Sequence, residues 1–200
     1  MPRVEPVPYE DLSDQYRTFI EDGAESGAFT TPVPLQILAY ADHEPLPDDV
    51  ERHPNFPNSL LEPRLLELMR IRSGQLGGCE PCMGSRKEGS ITEDDVACLM
   101  NPALRPDLTE RERRALAFID QLSADHWAIG DETFIGLHEV FTTAEIMDLG
   151  QTVGGMIGYH RFLHTLDAFG EQDPVIKYDP AEVGATWDSL HGDDSRARSA

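Results

Sequence analysis

The chain has no apolar run approaching the roughly 20 residues that a membrane-spanning helix needs, so a membrane role is not expected. Its first residues, MPRVEPVPYEDL, lack the apolar stretch of a secretory signal and carry three prolines among acids. That start points to a cytoplasmic protein. Basic residues are scarce, with 16 Lys and Arg against 37 Asp and Glu and a net charge of −21. Such a surface repels a phosphate backbone, so nucleic acid is not an expected partner. The acidity is read as solubility and self-repulsion. Three cysteines in 200 residues do not make a disulfide scaffold. There is no alternating run long enough for a sheet and no convincing internal repeat. A glycine-rich phosphate loop after a strand is also lacking, so nucleotide binding has no support.

What is present is helical periodicity. Leu12, Tyr16, Phe19 and Ile20 mark an amphipathic helix before Gly23, and a second short helix follows Pro34. Prolines 45, 47, 54, 57 and 63 forbid regular structure over most of the segment from Asp42, which is read as a loop wrapping onto the core. Leu65, Leu68, Met69, Ile71 and Leu76 predict a helix over Arg64–Leu76, stopped by Gly77-Gly78. Cys79 then takes a cap-like position and Pro81 the first turn of a helix running through Arg86 towards Gly89. Ser90 or Thr92 starts a short helix that contains Cys98 and ends at Pro102. Thr109 with Glu112 forms a capping box ahead of Leu116, Phe118, Ile119 and Leu122. Asp131 caps another helix, and Thr142 with Glu145 opens a long one to about Phe169. Its glycines at 150, 154, 155 and 158 are expected against a neighbouring helix or second subunit, because glycine costs up to about 1 kcal/mol in a helix relative to alanine. The organisation expected is an extension and wrapping loop over 1–62, a helical core over 63–172, and an acidic, disordered tail over 173–200. The fold class is all-α.

The spacing of Cys79 and Cys82 is compatible with metal, with redox exchange, or with two small residues lining a turn. A structural zinc site needs four ligands. No second C-x-x-C stands nearby, Cys98 is sixteen residues on, and no histidine lies between Cys82 and His126. No metal or cofactor is therefore expected. Two cysteines at a helix start can close a disulfide ring, and the amide dipoles there favour thiolate, so redox exchange is the preferred reading.

The run ELMRIRSGQLGGCEPCMGSR, Glu67 to Arg86, resembles the central hairpin of the carboxymuconolactone decarboxylase and alkylhydroperoxidase D-like family. Leu108 to Phe169, with LTERERRALAF and TTAEIMDLG, is similar to the helices that follow in that family. The resemblance implies an all-helical fold with a central antiparallel hairpin carrying C-x-x-C, assembled as a dimer, trimer or hexamer. For the peroxidase branch it implies a dithiol that reduces a peroxide or a disulfide, re-reduced by a thiol electron donor. There the second cysteine attacks and the first resolves, with a relay through the upstream glutamate and a histidine four residues after the second cysteine. Glu67, Cys79 and Cys82 match those positions, but Arg86 stands where the histidine belongs.

If the chain reverses at Gly77-Gly78, Glu67 and Arg86 come level on antiparallel helices and could form an ion pair. Arginine cannot shuttle a proton near neutral pH, but its charge one turn from Cys82 favours the thiolate. Cys82 is then the nucleophile and Glu67 the only local base. Arg70 and Arg72 are expected to make ion pairs. His160 and His164, spaced i and i+4, face one side of the last helix and are read as solvent-facing or hydrogen-bonded core residues rather than metal ligands. Tyr159 and Arg161 could line a pocket, and Cys98 is read as a buried small hydrophobe.

Two other functions compete with the oxidoreductase. One is a carboxymuconolactone decarboxylase-like lyase on a small carboxylated ring compound, which needs a base and cationic groups in a pocket. The other is a non-catalytic oligomer that has kept the fold, a reading the missing histidine favours.

Overall fold

A computed structural model describes residues 2–28, 31–43, 46–100 and 108–166, leaving aside the side chains of Glu80, Pro81 and Cys98. The end of the last helix at Phe169, the tail from residue 173, the stop at Pro102 and the burial of Cys98 lie outside that description. Every described regular element is a helix: α1 Asp14–Ser26, α2 Val33–Leu38, α3 Pro63–Gly77, α4 Glu80–Gly84, α5 Glu93–Cys98, α6 Glu110–Ala124, α7 Asp131–His138 and α8 Thr143–Thr165. No described helix is long and apolar enough to cross a membrane.

The centre of the fold is α3. Leu65 to Gln75 are all buried, and α6, α8 and α4 pack around it. Leu66, Leu68, Met69 and Ile71 meet Leu116 and Ile119 of α6 and Leu149 and Val153 of α8 in one core. Each such side chain contributes roughly 1.5–3 kcal/mol when fully buried. A helix surrounded on all sides must also bury its polar residues, and Glu67, Arg70, Arg72, Ser73 and Gln75 are indeed inside. They are tolerated because each finds a polar partner. Arg72 donates to Asp120 at 2.7 Å, and Gln75 donates to the Val96 carbonyl at 3.3 Å.

The helix starts follow local chemistry. Thr92 with Asp95, Thr109 with Glu112 and Thr142 with Glu145 each form a reciprocal capping box. At the other end of α3, Gly78 adopts φ 70°, and the Cys79 N–H reaches back to the Gly74 carbonyl at 3.0 Å. This left-handed stop turns the chain directly into α4. The segment over 46–62 forms no regular element beyond an isolated pairing of His53 and Phe56. It is tied down where Ser59 Oγ and the Leu60 N–H donate to Asp148 of α8, at 2.6 and 2.7 Å.

One expectation is corrected and another narrowed. First, α4 ends at Gly84 instead of running towards Gly89. The carbonyls of Cys82 and Ser85 accept hydrogen bonds from Arg70, and the Lys87 N–H donates to Glu67. Buried charges on α3 therefore capture the backbone groups that a longer α4 would use. Second, among the described residues a Cβ added to Gly150, Gly154, Gly155 or Gly158 of α8 would meet nothing within 4 Å, so these glycines face no neighbouring helix of the same chain, and only a second subunit is left to pack on them. The close helix approach is instead made by glycines of α3. A Cβ on Gly74 would lie 3.1 Å from Cys82 Cβ, and one on Gly77 would lie 2.9 Å from His160 Cβ.

Candidate active site

Glu67 is fully buried, so its charge must be compensated within the fold. Arg70, one turn on, grips it with two bonds, Nε to Oε2 at 2.7 Å and Nη2 to Oε1 at 2.8 Å. The Lys87 N–H donates to Oε1 at 2.7 Å. His53 Nε2 stands 2.8 Å from Oε2, with its side chain fully buried as well. The Asn55 N–H donates to His53 Nδ1 at 3.1 Å, which makes Nδ1 the acceptor and leaves the ring proton on Nε2 for the carboxylate. Burial pushes the Glu67 carboxyl up, but hydrogen bonds from Arg70, His53 and the Lys87 amide, with the Arg70 charge, outweigh it and hold the pKa at about 2. Glu67 is thus an ionised anchor.

Arg70 carries this anchor to the cysteine loop. Its Nη1 donates to the Cys82 carbonyl at 2.7 Å and its Nη2 to the Ser85 carbonyl at 2.7 Å. Cys79 and Cys82 are joined by a disulfide, with 5.2 Å between their Cα atoms. Cys79 is completely buried, whereas Cys82 is partly exposed and lines a cavity of about 950 Å³. Lys87 and Arg70 border the same cavity on the α3–α4 side, Phe56 comes from the wrapping loop, and Tyr159 and His160 come from α8.

His160 is almost completely buried, and its Nδ1 lies 2.9 Å from Ser73 Oγ. Burial, followed by the nearby Arg70 charge, lowers its pKa to about 4 against the opposing hydrogen bond to the Ser73 backbone. The ring is neutral around pH 7. His164, one turn on, is exposed and lies beside Gly78.

Glu67, Cys79 and Cys82 are therefore brought into one neighbourhood, but Arg86 does not join Glu67. Its guanidinium pairs with Glu93 at 2.9 Å and donates to the carbonyls of Met83 and Ser85. The expected Glu67–Arg86 pair fails because α4 ends early and Arg70, on the same helix as Glu67, already fills that place. Arg70 and Arg72 do form ion pairs, with Glu67 and Asp120. Tyr159 lines the cavity, whereas Arg161 points to Ser123. Sequence reasoning missed His53, Ser85 and Lys87. His53 lies in the proline-rich loop, where no periodicity marks which residue turns inward.

Among the described residues, no cluster of three His, Cys, Asp or Glu side chains is arranged around a metal position.

No family model matches the chain, and no curated protein matches it. Among solved structures, the chain is similar to the alkylhydroperoxidase AhpD core, an uncharacterized peroxidase-related protein from Ralstonia eutropha JMP134, at 19% identity and a TM-score of 0.46, over 82% of this chain and 90% of that one.

Proposed function

We propose that the chain is a thiol-dependent oxidoreductase, in which the Cys79 and Cys82 dithiol reduces a small peroxide or disulfide and is restored by an external thiol donor. The observation that carries this reading is the disulfide itself, with Cys79 sealed in the core and Cys82 facing a cavity large enough for an organic substrate. Cys82 is the attacking thiol and Cys79 the resolving one. Glu67 acts as a positioning residue: through Arg70 it fixes the Cys82 and Ser85 carbonyls, and with them the attacking sulfur. Arg86 supports the outer end of the same loop through Glu93. Self-association belongs to the same reading, because Tyr159 and Phe162 stand 60% and 58% exposed beside the open glycines of α8.

The test is thiol-coupled consumption of an organic hydroperoxide and of a small disulfide. Cys82→Ala abolishes both, and Cys79→Ser stops after one turnover with an oxidised Cys82. Full turnover in Cys82→Ala would sink the proposal. A second reading, a lyase on a small carboxylated ring compound, draws on Lys87 and His160 lining one cavity, which supplies the cation and base such chemistry needs. Lyase turnover that survives alkylation of both thiols favours it.

A further inference from the structure

Resting on the dithiol reading, we propose that His160 is the proton carrier for Cys82, its Nε2 taking the thiol proton and returning it to the leaving oxygen. This histidine comes from α8, far along the chain from the cysteine loop.

The geometry begins at α3. Gly74 and Gly77 are three residues apart, so they share one face of the helix. Gly74 is the notch that admits Cys82, and Gly77 is the notch that admits His160. The two side chains thus start from adjacent positions along the same face, and both line the cavity. Ser73, on the same helix, occupies Nδ1 at 2.9 Å, and Nε2 has no hydrogen-bond partner among the described residues. One nitrogen orients the ring while the other remains for chemistry.

The charged and titratable groups around this ring come from three directions. Arg70 faces it from α3, with Glu67 and His53 behind that guanidinium; Cys82 and Lys87 border the cavity from the following loop; Asp148 and Tyr159 share its own helix. His164 lies a turn farther along, beside Gly78. With the disulfide closed, burial and Arg70 keep the ring neutral and disfavour its protonation. Opening the disulfide adds an ionisable thiol to the cavity, and a thiolate there favours the imidazolium, so the two groups titrate as a pair.

The Cys82 thiol gives its proton to His160 Nε2. The thiolate pair attacks the outer peroxide oxygen, the O–O bond breaks, and Cys82 becomes a sulfenic acid while the departing alkoxide takes the proton from His160. The Cys79 thiol then displaces hydroxide from the Cys82 sulfur, the S–S bond forms, and the hydroxide leaves as water with the Cys79 proton. Two thiols and one hydroperoxide yield a disulfide, an alcohol and water.

The test combines an NMR titration of the His160 ring with the pH dependence of Cys82 alkylation in a Cys79→Ser background. On reduction, the His160 pKa rises by about one unit or more, and Cys82→Ser removes the rise. His160→Gln raises the apparent pKa of Cys82 and lowers the rate constant for cumene hydroperoxide by about a hundredfold at pH 7; His164→Gln does neither. The inference is overturned if His160 titrates alike in both redox states. Unchanged alkylation in the Cys79→Ser, His160→Gln protein also overturns it. The NMR titration needs no substitution at His160, so it decides even if His160→Gln fails to fold. Absence of wild-type turnover on any peroxide or disulfide overturns the dithiol function, whereas wild-type rates retained in His160→Gln overturn only the role of His160.

Discussion

His53 and Glu67, fourteen residues apart, meet at 2.8 Å inside the protein with neither side chain exposed. The contact joins the proline-rich loop to the central helix and completes a carboxylate that also holds Arg70 and the Lys87 amide. Removing the Glu67 charge strands a buried guanidinium, and breaking such a pair costs about 3–5 kcal/mol. Glu67→Gln should therefore destabilise by that order in urea unfolding at pH 7. His53→Ala deletes one hydrogen bond to a charged group and opens a void, for a loss of about 3 kcal/mol. A loss below about 1 kcal/mol in both variants would contradict a shared buried network.

Acid stability should fall in two stages. The folded pKa of His160, about 4, lies below its ordinary 6.5, so the unfolded chain takes the proton first. Stability therefore drops as pH falls from about 6.5 to about 4, by on the order of 3 kcal/mol at most. Glu67, held at about 2, contributes stability that is complete above about pH 4.5 and lost as pH falls towards 2. This second loss is of the same order at most. Urea midpoints between pH 7 and pH 3 separate the stages, because His160→Gln removes the first and Glu67→Gln the second. A flat profile between pH 6.5 and 4.5 would mean that His160 is not held neutral in the fold.

Local chemistry made the fold readable from sequence. The capping boxes at Thr109 and Thr142 and the stop at Gly77-Gly78 needed only neighbouring residues, and each appears where the spacing puts it. The cysteine pair was legible for the same reason. The Glu67 surroundings were not, because His53 reaches Glu67 through a loop whose path is set by its contacts with Glu67 and Asp148. The length of α4 is not legible in the sequence because helix propensity takes no account of Arg70 and Glu67 competing for its backbone. Within the chain, the close helix approach expected of the α8 glycines falls to Gly74 and Gly77 of α3. Composition marks small residues without saying which of them face a neighbour.

That distinction gives opposite effects for the same substitution. Gly77→Ala places a methyl 2.9 Å from His160 Cβ, closer than real carbons pack, and should cost about 1–3 kcal/mol through forced separation of α3 and α8. Gly154→Ala adds a methyl in open space on a helix, and should stabilise an isolated chain by up to about 1 kcal/mol. Thermal unfolding at two protein concentrations reads both. If Gly154→Ala instead destabilises and weakens self-association, the α8 face is covered by another copy.

Arg70 is the residue through which the buried carboxylate reaches the cysteines, and its guanidinium geometry is what makes that possible. It donates to both Glu67 oxygens and to the carbonyls of Cys82 and Ser85, at distances from 2.7 to 2.8 Å. Lysine keeps the charge but offers three donors from one point, so it cannot serve acceptors on both sides at once. Arg70→Lys should retain the Glu67 interaction and release the loop after α4. The expected signature is hydrogen exchange at the Lys87 amide faster by about tenfold or more, each tenfold being about 1.4 kcal/mol of lost protection. Amides of α6 should be little changed. Thiol-coupled turnover should fall with the loop's order, since the Cys82 carbonyl is one of the released groups. Unaltered exchange at Lys87 in a folded Arg70→Lys protein would show that Glu67 orders the loop without Arg70, and would transfer the positioning role to the direct Lys87–Glu67 bond.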